Sequence, residues 1–157
     1  MSDAPVEDDE ILHRSVPTTA VQWGQDGWRL TSEAFNDPIL KPSVDRASIR
    51  TNAADSLRGV GHGIAQLLTV EVRACKKVIQ NPWAKNPAEQ IPYKLLVTAD
   101  PVEDGNAQGL PPNPSHALIE TDPALANPSR FRKVKDALCR LAEQRPWVVQ
   151  PAQIDSP

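Results

Sequence analysis

The sequence predicts an α+β fold: a single domain with a mostly antiparallel sheet and one main C-terminal helix packed on it. Three observations lead there. At 157 residues the chain has the length of one domain, given the usual roughly 100 to 200 residues each. Its strand-like segments are separated by prolines and short turns, without the repeated strand-helix alternation of a doubly wound sheet. Its 16 prolines are about twice ordinary usage, so long helices cannot dominate. With 39% hydrophobic and 24% charged residues, the chain holds enough apolar material for a core, which excludes disorder throughout.

The elements follow in order. Residues 1–9, with Asp3, Glu7, Asp8 and Asp9 and little that is apolar, are expected to form a disordered acidic tail. Residues 10–150 are the domain, and 151–157 a flexible tail. Residues 10–16 make a first strand that Pro17 stops, and Asp26-Gly27 is a turn ahead of a strand at 28–30. Thr31 to Phe35 resembles a polar cap entering one short helical turn, closed by Asn36-Asp37-Pro38. A polar set, Ser43, Asp45 and Arg46, follows Lys41-Pro42, and 52–57 reads as another short helix. The longest apolar stretch is 60–74. Its later half alternates, with Leu68, Val70, Val72 and Ala74 against Thr69, Glu71 and Arg73, which favours a half-buried strand; a helix stripe through Ile64, Leu67, Leu68 and Cys75 competes. Residues 76–79 continue toward the turn-like Asn81-Pro82-Trp83. Strands are expected at 93–98 and 115–120, separated by a loop at 100–114 with four prolines and no apolar periodicity. The helix at 128–143 has Asn127 as its cap and Pro128 at its first position. Phe131, Val134, Leu138 and Leu141 form its apolar face. Arg145-Pro146 ends it, and 147–149 is a final strand.

Charge narrows the partners. Lys plus Arg number 17 against 20 for Asp plus Glu, a formal net charge of −3, which disfavours a general nucleic-acid-coating role because such domains carry a basic excess. The one basic run, Arg130, Arg132, Lys133 and Lys135, lies on the helix and reads as a solvated face. Cys75 and Cys139 lie far apart, without a CxxC motif or a histidine at metal spacing; both are expected to be reduced and buried, and no metal site is expected. No stretch reaches the 18 or so apolar residues of a membrane span, and the acidic N-terminus is unlike a signal peptide, so a cytoplasmic location with no membrane partner is expected.

Phosphate-loop, dinucleotide, zincin and serine-hydrolase signatures are lacking. The glycine cluster Gly59, Gly61 and Gly63 around His62 reads as a tight bend rather than an anion nest. Polar residues instead punctuate strand-like text: His13-Arg14, Thr31-Ser32-Glu33, Ser43 with Asp45-Arg46, His62, and Ser115-His116 with Glu120. If these strands share a sheet, several of them converge on one cleft. A lone strand histidine is more often a hydrogen-bonded structural residue than a base. Asp45 and Arg46, being adjacent, point to opposite faces and suit structural ion pairs. Trp23, Trp28, Trp83 and Trp147 suit core or loop anchors, with a partner surface as the second reading.

The succession HRSVP (13–17), WRLTSEAF (28–35), KPSVDRA (41–47), TVEVRA (69–74) and NPSHALIE (113–120), then a helix before WVV (147–149), resembles small uncharacterised bacterial proteins with "YRR-P", "SSQAF", "LSVDRA" and "PAHALI" elements. The resemblance implies a bacterial intracellular origin and no particular activity. Two functions are expected from different classes. The first is a small cytoplasmic module binding a protein partner through the 100–114 loop and exposed aromatics, with Trp23, Trp28, Asp45, Arg46 and His116 as candidate binding residues and no cofactor. The alternative is a compact enzyme similar to the ADP-ribosyltransferase fold, using NAD. That resemblance implies an early Arg or His for the pyrophosphate, a Ser-starting strand for the nicotinamide pocket and a late Glu for the ribose: His13, Arg14, Ser32 and Glu120, with Glu71 as a rival to Glu120.

Overall fold

The first strand lies second from one edge of the main sheet, between the strands Gly63–Leu68 and Ser43–Arg46. In the computed structural model, which describes residues 4–50, 52–75, 79, 82–125 and 127–152, the strands are β1 (Ile11–Val16), β2 (Val21–Gly24), β3 (Gly27–Leu30), β4 (Ser43–Arg46), β5 (Gly63–Leu68), β6 (Lys94–Ala99) and β7 (His116–Asp122). The helices are α1 (Thr69–Arg73) and α2 (Pro128–Glu143). Five strands form one antiparallel sheet in the order β5-β1-β4-β7-β6, and β2 and β3 form a hairpin. This is the expected α+β architecture.

Side-chain alternation then sorts the sheet into two faces. Leu12, Val16, Val44, Leu67, Leu95, Val97 and Ile119 belong to one buried cluster with Phe35 from the 3-10 turn Ser32–Phe35 and with Phe131, Val134 and Leu138 of α2. The helix matches its expected bounds, and Asn127 caps it by accepting from Ser129 N. Its buried face is rotated slightly from the expected one: Leu141 is only partly buried, while Ala137, Cys139 and Ala142 are buried. The buried set now spans i, i+3, i+6 and i+7 from Phe131, as packing against both a sheet and a hairpin requires.

Several expectations are corrected. The alternating segment 68–74 is not a strand: β5 occupies the earlier half of the apolar stretch, and α1 follows it directly. Val72 is buried whereas Val70 is exposed, so the alternation marks no sheet face. Residues 4–9 are held rather than disordered. Val6 is buried in the core, Arg46 donates to the carbonyls of Ala4 and Pro5, and Arg73 donates to the carbonyl of Val6. At the other end Pro151 is buried and Ala152 N donates to the Gly61 carbonyl. The remaining expected tail residues, 1–3 and 153–157, and most of 76–79 lie outside the described residues. The expected final strand is one bridge, Ile64 to Val149, which covers the outer edge of β5. Gly63 permits it, since a Cβ there would meet Pro151 Cδ at 2.7 Å and Val149 O at 2.9 Å. Thr31 makes no side-chain cap, and Cys75 is only half-buried.

Candidate functional site

The second face of the sheet carries the polar side chains. Register places His13 opposite Asp45, and Asp45 opposite His116, so three titratable residues form one row across β1, β4 and β7. Directly opposed residues in a sheet are neighbours about 4.5–5.5 Å apart at Cβ. Over this row lie the 3-10 turn Ala53–Ser56, the residues flanking it, and the 100–114 loop. Two cavities result. The smaller, of about 430 Å³, is lined by His13, Arg14, Ser15, Glu33, Asp45 and His62 among others. The larger, of about 870 Å³, is lined by Arg50, Val102, Leu110, Pro111, Asn113 and His116 among others. Ser43 and Arg58 line both, so the two adjoin at these residues as a groove in two compartments.

Asp45 is the centre of this site. It is 2% exposed, which for an unpaired carboxylate would be prohibitive. Here Ser56 Oγ donates to it at 2.6 Å and Asn113 Nδ2 at 2.8 Å. Arg50 Nη2 lies 3.2 Å and Arg58 Nη2 3.7 Å from Oδ2. Burial opposes its ionisation, but these hydrogen bonds and the two arginine charges outweigh burial and hold the carboxyl below its ordinary value. Asn113 is itself fixed, because Ser115 donates to its Oδ1 from both N and Oγ. His13 is buried, and burial lowers its pKa despite the opposing pull of Asp45; among the described residues its Nδ1 has no hydrogen-bond partner. On the same face Ser15 Oγ accepts from Arg58 N at 3.0 Å and is hydrogen bonded to His62 Nδ1 at 2.9 Å. Gly59 makes room for that imidazole, since a Cβ there would sit 2.7 Å from His62 Nε2.

The expected site residues are divided. Arg14 reaches the groove but is spent on structure. The β1–β4 ladder ends at His13–Asp45, and beyond it the guanidinium of Arg14 fills the gap. Its Nε donates to Ala34 O, Nη1 to Ser43 O and Nη2 to Asn36 O, at 2.8–2.9 Å. Burial brings its pKa down from 12.5 to about 10, so it stays charged at neutral pH. Ser32 opens the 3-10 turn and lines neither groove cavity, whereas its neighbour Glu33 lines the smaller. Glu120 accepts from Thr98 Oγ1 and pairs with Lys41, and Glu71 pairs with Arg145; both lie outside the groove. The NAD-site set His13, Arg14, Ser32 and Glu120 therefore does not assemble, because only its first two members face one cavity.

Among the candidate binding residues, Asp45 and His116 line the groove. His116 Nδ1 is held 2.8 Å from the Asp100 carbonyl. Arg46 is structural: it points to the core side and meets Glu10 through Nε and Nη2, both at 2.8 Å. Trp23 and Trp28 are cross-strand neighbours on the hairpin, away from the groove, and Trp28 packs on Trp147 at 4.5 Å between centroids. Sequence reasoning missed Ser15, Arg50, Ser56, Arg58 and Asn113. Only Ser15, within HRSVP, and Asn113, within NPSHALIE, lay in motifs singled out for attention. Among the described residues no group of three or more His, Cys, Asp or Glu is placed to hold a metal, and no helix is long and apolar enough to cross a membrane. Compared with family models, curated proteins and solved structures, the chain matches none of them.

Proposed function

We propose that the chain is a small cytoplasmic bacterial interaction module that receives an extended segment of a protein partner in this groove. The observation that carries the reading is the confluence of the two cavities at Ser43 and Arg58, which makes a trough longer than one side chain needs. One wall is the 100–114 loop, and it is preformed. Val102 and Asn113 exchange backbone hydrogen bonds across its neck, while Asn106 donates to the carbonyls of Glu103 and Leu110. A wall already ordered, with Pro111 and Pro112 fixing its backbone, loses little entropy on binding. Leu110 is 53% exposed at the rim and offers an apolar anchor. The lining mixes Arg50 and Arg58 with Asp55, Asp100 and Glu103, which suits a polypeptide better than a phosphate backbone. The reading takes no cofactor. The NAD-using alternative has no comparable support, since Ser32 and Glu120 stand apart from His13.

Site-specific photo-crosslinking tests the reading. A photoreactive residue in place of Leu110 should trap one discrete protein in bacterial cells, and the same group in place of Lys133, exposed on α2, should not. Equal trapping from both positions, or none from Leu110, contradicts it.

A further inference from the structure

We infer that the junction of the two cavities is a recognition point for one carboxylate side chain, an Asp or Glu of the segment bound in the groove. The inference rests on the groove reading for its occupant and adds the chemistry of what is read. Two arginines, Arg50 and Arg58, converge on the single carboxylate of Asp45. Asp45 also accepts from Ser56 on Oδ2 and from Asn113 on Oδ1. Arg58 stands 3.7 Å from it, outside hydrogen-bond range, and among the described residues its guanidinium makes no hydrogen bond. Its side chain is half exposed, and it lines both cavities. Among the described residues Arg50 Nε is buried without a hydrogen-bond partner. Around Asp45 itself two cations meet one anion, which leaves a set of unused N–H donors on Arg58 and Arg50, while the lining as a whole carries six carboxylates against three arginines.

Those unused donors select the ligand. A carboxylate carries one negative charge and two oxygens, which match a guanidinium edge bidentately. A phosphate dianion would bring twice the charge of a carboxylate against Asp45, against Glu33 and Asp37 in the smaller cavity and against Asp55 in the larger. Because Arg58 has cavity on both sides, the segment passes it rather than ending there. The carboxylate therefore belongs to a side chain and not to a C-terminus.

NMR titration of the full chain with small probes tests this. N-acetylglutamate α-amide, with one side-chain carboxylate, should give saturable shifts of the Arg58 Nε–H and of the His13 ring. The neutral N-acetylglutamine α-amide should give none. Arg58→Gln should weaken the glutamate probe at least about tenfold, the scale of one charge-assisted contact, with the unfolding midpoint kept. The glutamine probe binding as well as the glutamate probe, an unchanged affinity in Arg58→Gln, tighter binding of inorganic phosphate, or tighter binding of N-acetylalanine would each overturn the inference. Crosslinking at Leu110 that persists alongside such a failure leaves the groove reading standing. Saturable glutamate binding without any crosslinked protein would bring down the groove reading alone.

Discussion

Replacing Arg14 by Met separates a structural role from a functional one. The change keeps the aliphatic stem and removes the guanidinium, which holds three backbone carbonyls and sits 5.6 Å over the Phe35 ring. The Asn36 carbonyl can turn to water, because Asn36 is exposed. The Ala34 and Ser43 carbonyls are partly buried, and leaving each unsatisfied costs about 1–2 kcal/mol. Loss of the cation–π contact adds about 0.5 kcal/mol. The expected destabilisation is therefore about 2.5–4.5 kcal/mol, a large share of the 5–15 kcal/mol typical of a domain. Urea unfolding followed by tryptophan fluorescence measures it, since Trp28 and Trp147 lie against each other in the fold. The midpoint should fall with little change in slope. A loss below about 0.5 kcal/mol, the size expected of an ordinary surface change, would refute the assignment and return Arg14 to the candidates for ligand binding.

Further outcomes follow from the same packing. Leu138→Ala should cost about 2–5 kcal/mol by unfolding, because Leu138 is fully buried, whereas Lys133→Ala on the outer side of α2 should cost less than about 0.5 kcal/mol. Gly63→Ala should displace residues 149–151 from the edge of β5, where the added methyl would lie 2.7 Å from Pro151; faster amide exchange at Ile64 and Val149 reads this out. Stability should fall with acidification in two stages. His13 sits below 6.5 in the fold, so the unfolded chain binds the extra proton first and stability declines as pH drops beneath that value. The carboxyls of Asp45 and Glu10 sit below their ordinary values, so their contribution, complete above the ordinary carboxylate range, is lost as pH falls through it. Stability that is flat from neutral pH to pH 4 in urea titrations would contradict the His13 assignment, and no further fall below pH 4 would contradict the carboxyl assignment. Cys139, whose thiol burial pushes up to about 12, should resist thiol reagents in the native protein at pH 8, and rapid labelling there would show that α2 does not stay docked.

Local signals carried most of the fold. Asn127-Pro128 opening a helix, Pro17 ending a strand and the turn before Trp28 are decided within a few residues, and each stands where the sequence puts it. Residues 68–74 misled because a five-residue helix is shorter than two turns, so alternation and helical periodicity are hard to tell apart over it. The site was legible only in part. Asp45 and His116 were visible as polar residues in strand-like text, but their meeting depends on β4 lying between β1 and β7, a non-local pairing without a local signature. Arg14 looked functional as a polar residue in strand-like text and as the early Arg that the NAD-enzyme resemblance implies; the gap it fills exists only where β1 and β4 part. Arg50 and Arg58 gave no signal, being common residues on irregular segments placed by the Ala53–Ser56 turn.

The central claim, that the polar face of the sheet and not the helix or the hairpin is the binding surface, is tested most directly by amide hydrogen exchange of the chain with and without its crosslinked partner. The account predicts new protection over 100–114 and at 54–62, where the loop and the arginine-bearing segment line the groove, with α2 and the β2–β3 hairpin unchanged. Protection confined to α2, or to Trp23 and Trp28 on the hairpin, with 100–114 exchanging as in the free chain, would contradict it.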